Sequence, residues 1–260
     1  MKVIITGAAS GIGRAAAEIL AAGTVISGAH EILLTDRDEA GLQAVADTIG
    51  SNVAICVADL SDAECGKAIV EAALAHMGGV DAVVSNAGII SAGKLVDLEA
   101  DAFERTFAIN TRATWSVAKY AHPHLAKSKG TFVATASMSG AQPTPGLGFY
   151  SSSKAALLML IKQLCLEWGP DGIRCNSVSP GPTYTPMTQA GYEDDARRKQ
   201  REDNIPLGKL GMAEDVANAI LFLIGPHAGH INGVDILVDG GMSNNLMPAT
   251  GGGTGQKAST

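Results

Sequence analysis

Short apolar segments alternate along most of the chain with longer stretches in which apolar residues recur at helical spacing. The short segments predict strands at residues 3–5, 31–35, 53–57, 80–84, 131–135, 173–178 and 234–238. Because a helix between two strands returns the chain to the same end of a sheet, strands joined in this way run parallel, with both faces covered. The pattern therefore predicts an α/β fold, a single-domain, doubly wound sheet of about seven parallel strands with helices on both faces.

Several local signals mark where the predicted elements begin and end. Ser61-Asp62-Ala63-Glu64 has the spacing of a capping box and predicts a helix that starts directly after the third strand. Gly78-Gly79 predicts the end of that helix, because glycine accepts the left-handed conformation common after a last helical turn. Residues 23–30 interrupt the first crossover, and this stretch is either a longer turn or a distorted entry into the second strand.

Two segments differ in composition from the rest of the chain. Residues 180–206 contain several prolines and a charged run from Glu193 to Asp203, which a buried sheet could not accommodate. We therefore predict a mobile substrate flap near residues 183–206. The end of the chain is rich in Gly, Ser and Thr, which predicts a flexible tail over residues 248–260. Residues 1–247 form the predicted single domain for dinucleotide binding and catalysis.

Composition restricts the possible classes of function. With 46% hydrophobic and 17% charged residues the 260-residue chain is expected to be globular. No uncharged apolar run reaches the roughly 18 residues of a membrane span, so we expect a soluble protein without a membrane partner. The first residues lack the pattern of a secretory signal, which favours the cytoplasm. A net charge of −7 disfavours nucleic acid and favours a small-molecule partner.

Neither cysteine nor histidine spacing indicates a metal site. The four cysteines lie far apart or in apolar surroundings and form no CxxC pair, which is typical of small core residues. Two histidine pairs, His122 with His124 and His227 with His230, have no nearby Cys or carboxylate cluster at metal-ligand spacing. No metal is predicted.

Tyr150 and Lys154 stand four residues apart, so any helix that contains them places both on one face. A free tyrosine has a pKa near 10, and a positive charge about 4 Å away stabilises the phenolate by roughly 4 kcal/mol at an effective dielectric near 20. This spacing predicts an acid/base pair in which Lys154 lowers the pKa of Tyr150.

A glycine-rich segment follows the first predicted strand and opens the first predicted helix. Its glycines would let the backbone approach a pyrophosphate at the helix N-terminus, and the Ser10 hydroxyl could add a donor. The alternative is an ordinary glycine-rich turn between strand and helix. The candidate phosphate-binding residues are Gly7, Ser10, Gly11, Ile12 and Gly13.

The second predicted strand ends at Asp36, where a carboxylate would accept hydrogen bonds from the adenosine ribose and repel a 2′-phosphate. This favours NAD over NADP. Arg37 follows directly and could instead bind that phosphate, so NADP is the less favoured alternative.

The next two strand ends also carry candidate cofactor residues. Asp59-Leu60 follows the third strand, where a carboxylate could meet the adenine amino group or simply stabilise a helix N-terminus. Ser85-Asn86-Ala87-Gly88 follows the fourth strand, at the edge where α/β sheets bind ligands, although a structural turn explains it equally well.

Taken together, these motifs resemble the classical short-chain dehydrogenase/reductase family. Thr6 to Gly13 matches TGxxxGxG, Ser85 to Gly88 matches NNAG except for Ser85, and Tyr150 with Lys154 matches YxxxK. The similarity spans roughly residues 2–243. It also includes Asn110, Ser137, Pro180-Gly181 and Asp239-Gly240-Gly241.

The resemblance implies a Rossmann-like fold and a role for each matching residue. Tyr150 would be the general acid/base, Lys154 would also donate to the nicotinamide ribose, and Ser137 would hold the reacting oxygen. Asn110 would hold a water that links Lys154 to solvent. The alternatives are Ser139 in place of Ser137, and a helix-kink or polar core role for Asn110.

The same resemblance extends to cofactor and assembly. Pro180, Gly181, Thr183 and Thr185 would lie beside the nicotinamide, with the two threonines as candidates to meet its carboxamide. A homotetramer or homodimer would form through the helices that hold residues 102–126 and 150–168, with the C-terminal strand in a second contact.

The function predicted from these features is an NAD(H)-dependent oxidoreductase that interconverts a secondary alcohol and a ketone. A mixed, weakly charged pocket suits a small or medium, partly apolar substrate. The candidate substrate residues are Ser137, Gln142, Phe149, Tyr150, Tyr184, Met187 and Tyr192. One alternative is an NADPH-dependent 3-oxoacyl carrier protein reductase, and a minor one is a non-catalytic dinucleotide-binding sensor.

Overall fold

The computed structural model describes residues 1–245 and contains one seven-stranded sheet whose neighbouring strands all pair in parallel. Its strands are β1 (Lys2–Thr6), β2 (Glu31–Asp36), β3 (Val53–Val57), β4 (Ala82–Ser85), β5 (Thr131–Thr135), β6 (Arg174–Pro180) and β9 (Asp235–Val238). Their order across the sheet is β3-β2-β1-β4-β5-β6-β9. All seven predicted strands are confirmed.

Within residues 1–245, eight α-helices connect or flank these strands. They are α1 (Gly11–Ala22), α2 (Glu39–Ile49), α3 (Cys65–Met77), α4 (Ala100–Phe107), α5 (Ala113–Ser128), α6 (Tyr150–Trp168), α7 (Asp195–Asp203) and α8 (Ala213–Ile224). Buried side chains of α3, α5 and α6 pack on one face of the sheet, and those of α1, α2 and α8 pack on the other. The predicted doubly wound, Rossmann-like architecture is therefore confirmed.

Alternation within the strands explains why both faces are covered. In β1, Ile4 belongs to the core under α3 and α5, whereas Val3 and Ile5 belong to the core under α1 and α8. Successive side chains of a strand point to opposite faces, so a strand that is apolar throughout needs helices on both sides.

The interruption at residues 23–30 is a longer turn. Gly23 ends α1 in the left-handed conformation with φ of 67°, and Ile26 is buried in the core beside α8. The Nε2–H of His30 donates to the carbonyl of Ile26 at 2.9 Å, which closes the turn just before β2.

The predicted helix start at Ser61 is wrong, because α3 begins at Cys65. The carboxylate of Asp59 accepts from the Ser61 N–H at 2.8 Å, and that of Asp62 accepts from the Glu64 N–H at 2.9 Å. These local bonds fold residues 59–64 into turns that compete with helix formation. Gly78 ends α3 with φ of 66°, which confirms the predicted end.

The flap, residues 183–206, contains regular structure that the apolar pattern did not indicate. Its first two residues form β7 (Thr183–Tyr184), which pairs in parallel with β8 (Gly211–Met212), a short strand that follows the flap. The charged run forms α7, whose N-terminus is capped by the Asp194 carboxylate accepting from the Arg197 N–H at 2.8 Å. The predicted tail at 248–260 and the predicted domain end at 247 lie outside the described residues.

Among residues 1–245, none of the helices combines the length and the apolar character that crossing a bilayer requires. Cys65 and Cys175 are buried in the core, while Cys56 and Cys165 are partly exposed.

Candidate active site

A cavity of about 360 Å³ opens at the carboxyl ends of the parallel strands. It lies where the strand order reverses between β1 and β4, which is the point at which doubly wound sheets bind ligands. Nineteen of the predicted site residues line it: Gly7, Ser10, Gly11, Ile12, Asp36, Arg37, Asp59, Leu60, Asn86, Ala87, Gly88, Ser137, Tyr150, Lys154, Pro180, Gly181, Thr183, Thr185 and Met187.

Six other predicted site residues stand outside the lining of this cavity: Gly13, Asn110, Gln142, Phe149, Tyr184 and Tyr192. Gly13 packs against the loop behind the cavity, since a Cβ on it would lie 2.2 Å from the Gly7 carbonyl oxygen. The ring of Phe149 meets that of Phe103 edge-on, with 5.1 Å between centroids.

The structure places the two flap tyrosines away from the cavity wall. Tyr192 is buried against Ile205 and Leu210, and its ring lies 6.4 Å from that of Tyr184. Gln142 also faces elsewhere and donates from its amide to the Ser243 carbonyl at 3.3 Å. Of the predicted substrate residues, Ser137, Tyr150 and Met187 are therefore the ones that share the cavity.

Seven further residues line the cavity that the motifs did not indicate: Ala58, Ile89, Ile109, Thr135, Ala136, Pro186 and Thr188. Most of them adjoin a motif residue in the sequence. For Ala58, Ile89, Thr135 and Ala136 the signal was their place at or after the ends of β3, β4 and β5, because the carboxyl ends of parallel strands meet at one edge of the sheet. The other three lie between α4 and α5 and in the flap, where the strand pattern gives no such signal.

The glycine loop has the features of an anion cradle. Gly7 and Gly11 adopt positive φ values of 66° and 54°, which residues with a side chain rarely accept. Ser10 is extended and, within the described part of the chain, makes no side-chain capping hydrogen bond to α1. The first N–H groups of a helix have no intrahelical partner, so this uncapped end in the cavity fits a pyrophosphate.

Asp36 is held rigidly at the end of β2. One carboxylate oxygen accepts from the Arg37 and Asp38 N–H groups at 2.7 and 3.2 Å, and the other accepts from the Ala9 N–H at 3.3 Å. A carboxylate has about four lone-pair positions, so capacity remains for a ribose hydroxyl. Arg37 lines the same part of the cavity.

Asp59 lies in the cavity wall after β3. The backbone N–H of Ser61 holds the pKa of this carboxyl below its usual value, with smaller contributions from Arg105 and Arg37. Asp59 is therefore an ionised acceptor at neutral pH.

Asn86 joins three strand ends. Its amide donates to the carbonyls of Thr6 and Gly7 at 3.2 and 3.3 Å, and its side-chain oxygen accepts from the Thr135 hydroxyl at 3.0 Å. The Thr6 hydroxyl accepts from the Asn86 and Ala87 N–H groups at 2.9 and 3.1 Å. The side chain of Asn86 therefore fixes the cavity floor, which supports a structural role for this turn.

Tyr150 and Lys154 lie on the first two turns of α6 and face the end of β5. Tyr150 is the first residue of the helix, and the Lys154 Nζ lies 5.7 Å from the centroid of the tyrosine ring. The Lys154 ammonium donates to the Thr135 carbonyl at 2.7 Å and is only 2% exposed. The structure thus brings the predicted acid/base pair together in one wall of the cavity.

Ser137 lies opposite, at the start of a short helical turn after β5. Its hydroxyl accepts from the Ser139 N–H at 3.1 Å and keeps its own hydrogen for another acceptor. The hydroxyl of the alternative, Ser139, pairs with that of Thr144 at 2.8 Å and lies outside the cavity lining. This geometry favours Ser137 over Ser139.

Burial shifts the pKa of both members of the acid/base pair. Burial raises the pKa of the Tyr150 phenol, and the Ser137 side chain opposes only part of this effect. Burial lowers the pKa of Lys154 to about 8. For the chain alone burial is the larger effect, so the phenol holds its proton at neutral pH, and the lowering of the Tyr150 pKa by Lys154 stays a prediction.

Asn110 lies in a π-helical turn, Ala108–Arg112, between α4 and α5. Its amide donates to the Ile89 carbonyl at 3.0 Å and to the Ser153 hydroxyl at 2.9 Å, and its oxygen accepts from the Ile89 N–H at 2.8 Å. Both amide hydrogens are thus engaged in holding the loop after β4 against α6. The alternative role at a helix irregularity matches this placement.

Over residues 1–245 the structure assembles no group of three or more His, Cys, Asp or Glu side chains that could hold a metal ion.

Comparison with known proteins adds an independent finding. A family model described as enoyl-(acyl carrier protein) reductase matches residues 7–243. An L-rhamnose 1-dehydrogenase (NAD(P)(+)) of Sphingomonas sp. (strain SKA58) is 34% identical, over 94% of this chain and 97% of its own length. A meso-2,3-butanediol dehydrogenase of Serratia marcescens is also 34% identical, with 92% and 93% covered.

A solved structure is similar to this chain in both fold and sequence. The crystal structure of a 3-ketoacyl-(acyl-carrier-protein) reductase from Brucella melitensis complexed with NADH superposes with a TM-score of 0.83 at 33% identity. The match covers 93% of this chain and 97% of that one.

Proposed function

The chain belongs to the short-chain dehydrogenase/reductase family, and on that premise we propose that it is an NAD(H)-dependent oxidoreductase that interconverts a secondary alcohol and a ketone. One observation carries the proposal. Ser137, Tyr150 and Lys154 line the same cavity as an uncapped glycine loop at the start of α1. A proton-transfer group and a phosphate cradle in one cavity are what reversible hydride transfer requires.

A bound nicotinamide dinucleotide would supply the hydride acceptor for alcohol oxidation and the hydride donor for ketone reduction. The glycine loop and the N-terminus of α1 would hold its pyrophosphate, and Asp36 its adenosine ribose. Asp59 and Leu60 would border the adenine. By family resemblance, Lys154 would donate to the nicotinamide ribose, and Thr183 and Thr185 would border the carboxamide.

Tyr150 would move the proton. In ketone reduction its neutral phenol would donate to the carbonyl oxygen, and in alcohol oxidation its phenolate would accept the hydroxyl proton. The Ser137 hydroxyl would donate to the same oxygen, because its bond with the Ser139 N–H uses only its oxygen. The Lys154 ammonium would stabilise the phenolate, and by family resemblance a water at the Asn110 turn would link Lys154 to solvent.

The preference for NAD(H) rests on Asp36. Its carboxylate is fixed by three backbone N–H groups at the cavity edge, so it cannot swing away from a 2′-phosphate without losing them. Repulsion between these like charges favours the cofactor without that phosphate. Arg37 alongside would reduce the preference, as a guanidinium binds phosphate well.

We propose a small or medium, uncharged, hydroxylated substrate. The inner wall combines the hydroxyls of Ser137 and Tyr150 with the apolar side chains of Ile89 and Met187. The names of two relatives support this class, because rhamnose and 2,3-butanediol each carry hydroxyl groups on neighbouring carbons.

The second candidate is a 3-oxoacyl carrier protein reductase, favoured by the likeness to the Brucella melitensis enzyme. An acidic carrier protein would need a basic surface near the cavity. Two of the four basic residues of α7 are instead paired within the helix, Arg198 with Asp195 at 3.0 Å and Lys199 with Asp203. This charge balance favours the small alcohol or ketone.

We also propose that the chain forms a homotetramer or homodimer, as family resemblance implies. Phe103 on α4, Trp115 on α5 and Met159 on α6 are large apolar residues, each more than two-fifths exposed. Large apolar side chains exposed on these three helices fit a contact with another chain.

The experiment that tests the proposed function is a panel of secondary alcohols and ketones assayed with NAD(H) and NADP(H) in parallel, through the absorbance of the reduced nicotinamide. The panel includes 2,3-butanediol, rhamnose, a cyclic alcohol and a 3-oxoacyl thioester. We expect turnover of an uncharged alcohol or ketone with NAD(H). Turnover of the thioester alone, with NADPH, would establish the second candidate instead.

A further inference from the structure

The segment after β9 contacts three parts of the molecule that border the cavity. This segment, residues 239–245, is called the C-terminal turn below. It follows directly on the last strand of the sheet and lies beside residues 180–181, the loop after Ser137 and the end of the flap. The mechanism proposed above gives none of its residues a role.

One side chain fixes the shape of the C-terminal turn. The Asp239 carboxylate accepts from the Gly241 N–H at 2.9 Å through one oxygen and from the Ser243 N–H at 2.8 Å through the other. Gly240 and Gly241 both have positive φ, 62° and 87°, a conformation that glycine adopts without steric cost, so the two Asp239 bonds select this turn among the many that glycine allows. Although burial raises the pKa of Asp239, hydrogen bonds from Ser243 and Gly241 lower it below its usual value, so the acceptor is ionised.

The turn holds the C-terminal end of the flap. The Leu207 N–H donates to the Gly240 carbonyl at 3.2 Å, and the Asn245 amide donates to the Asn204 carbonyl at 2.9 Å. Met242 packs against the buried cluster that contains Tyr192 and Ile205. The C-terminal turn therefore attaches the flap to the sheet in two ways, through hydrogen bonds to the flap backbone and through packing of Met242 on the small apolar cluster of the flap.

The turn also supports the cavity wall. A Cβ on Gly181 would lie 2.6 Å from the Cβ of Asp239, so these two positions are in close contact. The Ser243 carbonyl accepts from the Gln142 amide at 3.3 Å, which ties the turn to the loop after Ser137. Asp239 itself stands outside the set of described residues that line the cavity.

We propose that Asp239 is the positioning residue of the flap. Its carboxylate fixes the C-terminal turn, and the turn holds the flap where Met187 and Thr188 complete the cavity. The role of Asp239 in substrate binding rests on the proposed function, whereas its role in holding the flap does not.

Limited proteolysis tests the flap contact without any substrate. The basic residues of α7, Arg197, Arg198, Lys199 and Arg201, are exposed and give trypsin several sites in the flap. When opening is fast, cleavage follows the population of the open state, so losing charge-assisted hydrogen bonds should accelerate flap cleavage about tenfold in Asp239→Asn. Mass spectrometry of the fragments identifies the cut site.

Asp235→Asn is the matched control. Asp235 is also partly buried and begins β9, four residues before Asp239, but its carboxylate accepts from the Ser177 and Ser179 hydroxyls in β6 at 2.7 and 2.9 Å. The rate of flap cleavage in Asp235→Asn should stay within about twofold of the wild-type rate, because the hydrogen bonds that this substitution weakens lie within the main sheet and not at the flap. The proposal would be overturned if the flap of Asp239→Asn were cleaved at the wild-type rate. It would also be overturned if Asp235→Asn accelerated flap cleavage as much as Asp239→Asn does.

Steady-state kinetics then separate positioning from chemistry. Using the substrate found in the panel above, Asp239→Asn should raise KM about tenfold and leave kcat within about threefold, because saturating substrate restores the closed cavity. An unchanged KM together with accelerated flap cleavage would overturn the role of Asp239 in substrate binding and leave its role in holding the flap. If Asp239→Asn does not fold, Asn245→Ala is the second variant, because it removes the hydrogen bond from the Asn245 amide to the Asn204 carbonyl. We expect it to accelerate flap cleavage at least about twofold, and a smaller effect would overturn the proposal.

Discussion

Lys154 combines deep burial with a positive charge, and that combination has a measurable effect on stability. Its pKa falls from 10.5 to about 8 because burial disfavours the ammonium form. Below pH 8 both folded and unfolded chains carry the proton, so the full cost, on the order of 3 kcal/mol, opposes folding. As pH rises from about 8 to 10.5 the folded chain loses the proton first, and this cost disappears.

We therefore expect Lys154→Met to be inactive and, at pH 7, more stable than the wild type by up to about 3 kcal/mol, less the lost bond to Thr135. The difference in the free energy of unfolding between Lys154→Met and the wild type should shrink as pH rises from 8 towards 10. Urea unfolding at several pH values measures it. Lys67→Met, which removes an exposed lysine on α3, is the control and should change stability by less than about 0.5 kcal/mol. A less stable Lys154→Met at every pH would contradict this prediction.

At the residue scale, the proposed preference for NAD(H) rests on Asp36. Asp36→Asn keeps an oxygen for the Arg37 and Asp38 N–H groups but removes the charge. We expect kcat/KM for NADPH relative to NADH to rise about tenfold or more, since a repulsion worth roughly 1.4 kcal/mol is lost. Asp38→Asn, which alters the cap of α2, should leave that ratio unchanged. An unchanged ratio in Asp36→Asn would favour the NADPH alternative.

Motif residues could be predicted from the sequence better than substrate residues. The glycine loop, Asp36, Tyr150 and Lys154 all line the cavity because backbone geometry and helical spacing fix where they lie. Gln142 and Tyr192 lie near the site residues in the sequence, but nearness in sequence does not determine where a side chain points. Their actual partners, Ser243 and Ile205, are distant in sequence or set by the fold of the flap.

Between elements, Arg174 joins β6 to the end of α8. Its guanidinium donates to the Leu223 carbonyl at 2.9 Å, the Ile231 carbonyl at 3.4 Å and the Gly225 carbonyl at 3.5 Å. These carbonyls lie at or after the last helical turn, where a cation is favourable. Arg174 thereby fixes the position of α8 on the sheet.

We expect Arg174→Met to lower the free energy of unfolding by about 1 to 3 kcal/mol, because buried carbonyls lose a charged donor while the apolar stem is retained. Urea denaturation gives the value. Arg14→Met, which breaks an exposed ion pair with Glu18 at 2.7 Å on α1, should cost less than about 1 kcal/mol. Equal effects of the two substitutions would contradict the bridging role.

The elements show where sequence patterns succeed and fail. Most strands of the main sheet contain a short apolar run, as burial on both faces favours. The exception is β6, whose buried Asn176, Ser177 and Ser179 side chains are hydrogen-bonded instead. The capping-box spacing at Ser61 failed because the carboxylates of Asp59 and Asp62 make tighter local turns. Strands β7 and β8 have two residues each, too few to leave any periodic pattern.

At the scale of the whole molecule, we predict that two or four copies of the chain assemble. Light scattering coupled to size-exclusion chromatography should give two or four times the 26.5 kDa mass of one chain. Trp115→Glu places a charge among exposed apolar residues and should dissociate the assembly, because an unpaired charge is costly at an interface. Glu71→Gln, which alters an exposed charge on α3, is the control and should preserve it. A wild-type monomer would remove this proposal.

The central claim is that this sheet brings a proton-transfer tyrosine to a dinucleotide cavity, and Tyr150→Phe tests it most directly. The measurement is steady-state turnover of the best substrate from the panel, with NADH affinity determined by calorimetry on the same samples. We expect turnover to fall by about two to four orders of magnitude, because the phenolic proton is lost, while the NADH dissociation constant stays within about threefold. Turnover close to that of the wild type would show that Tyr150 is not the acid/base.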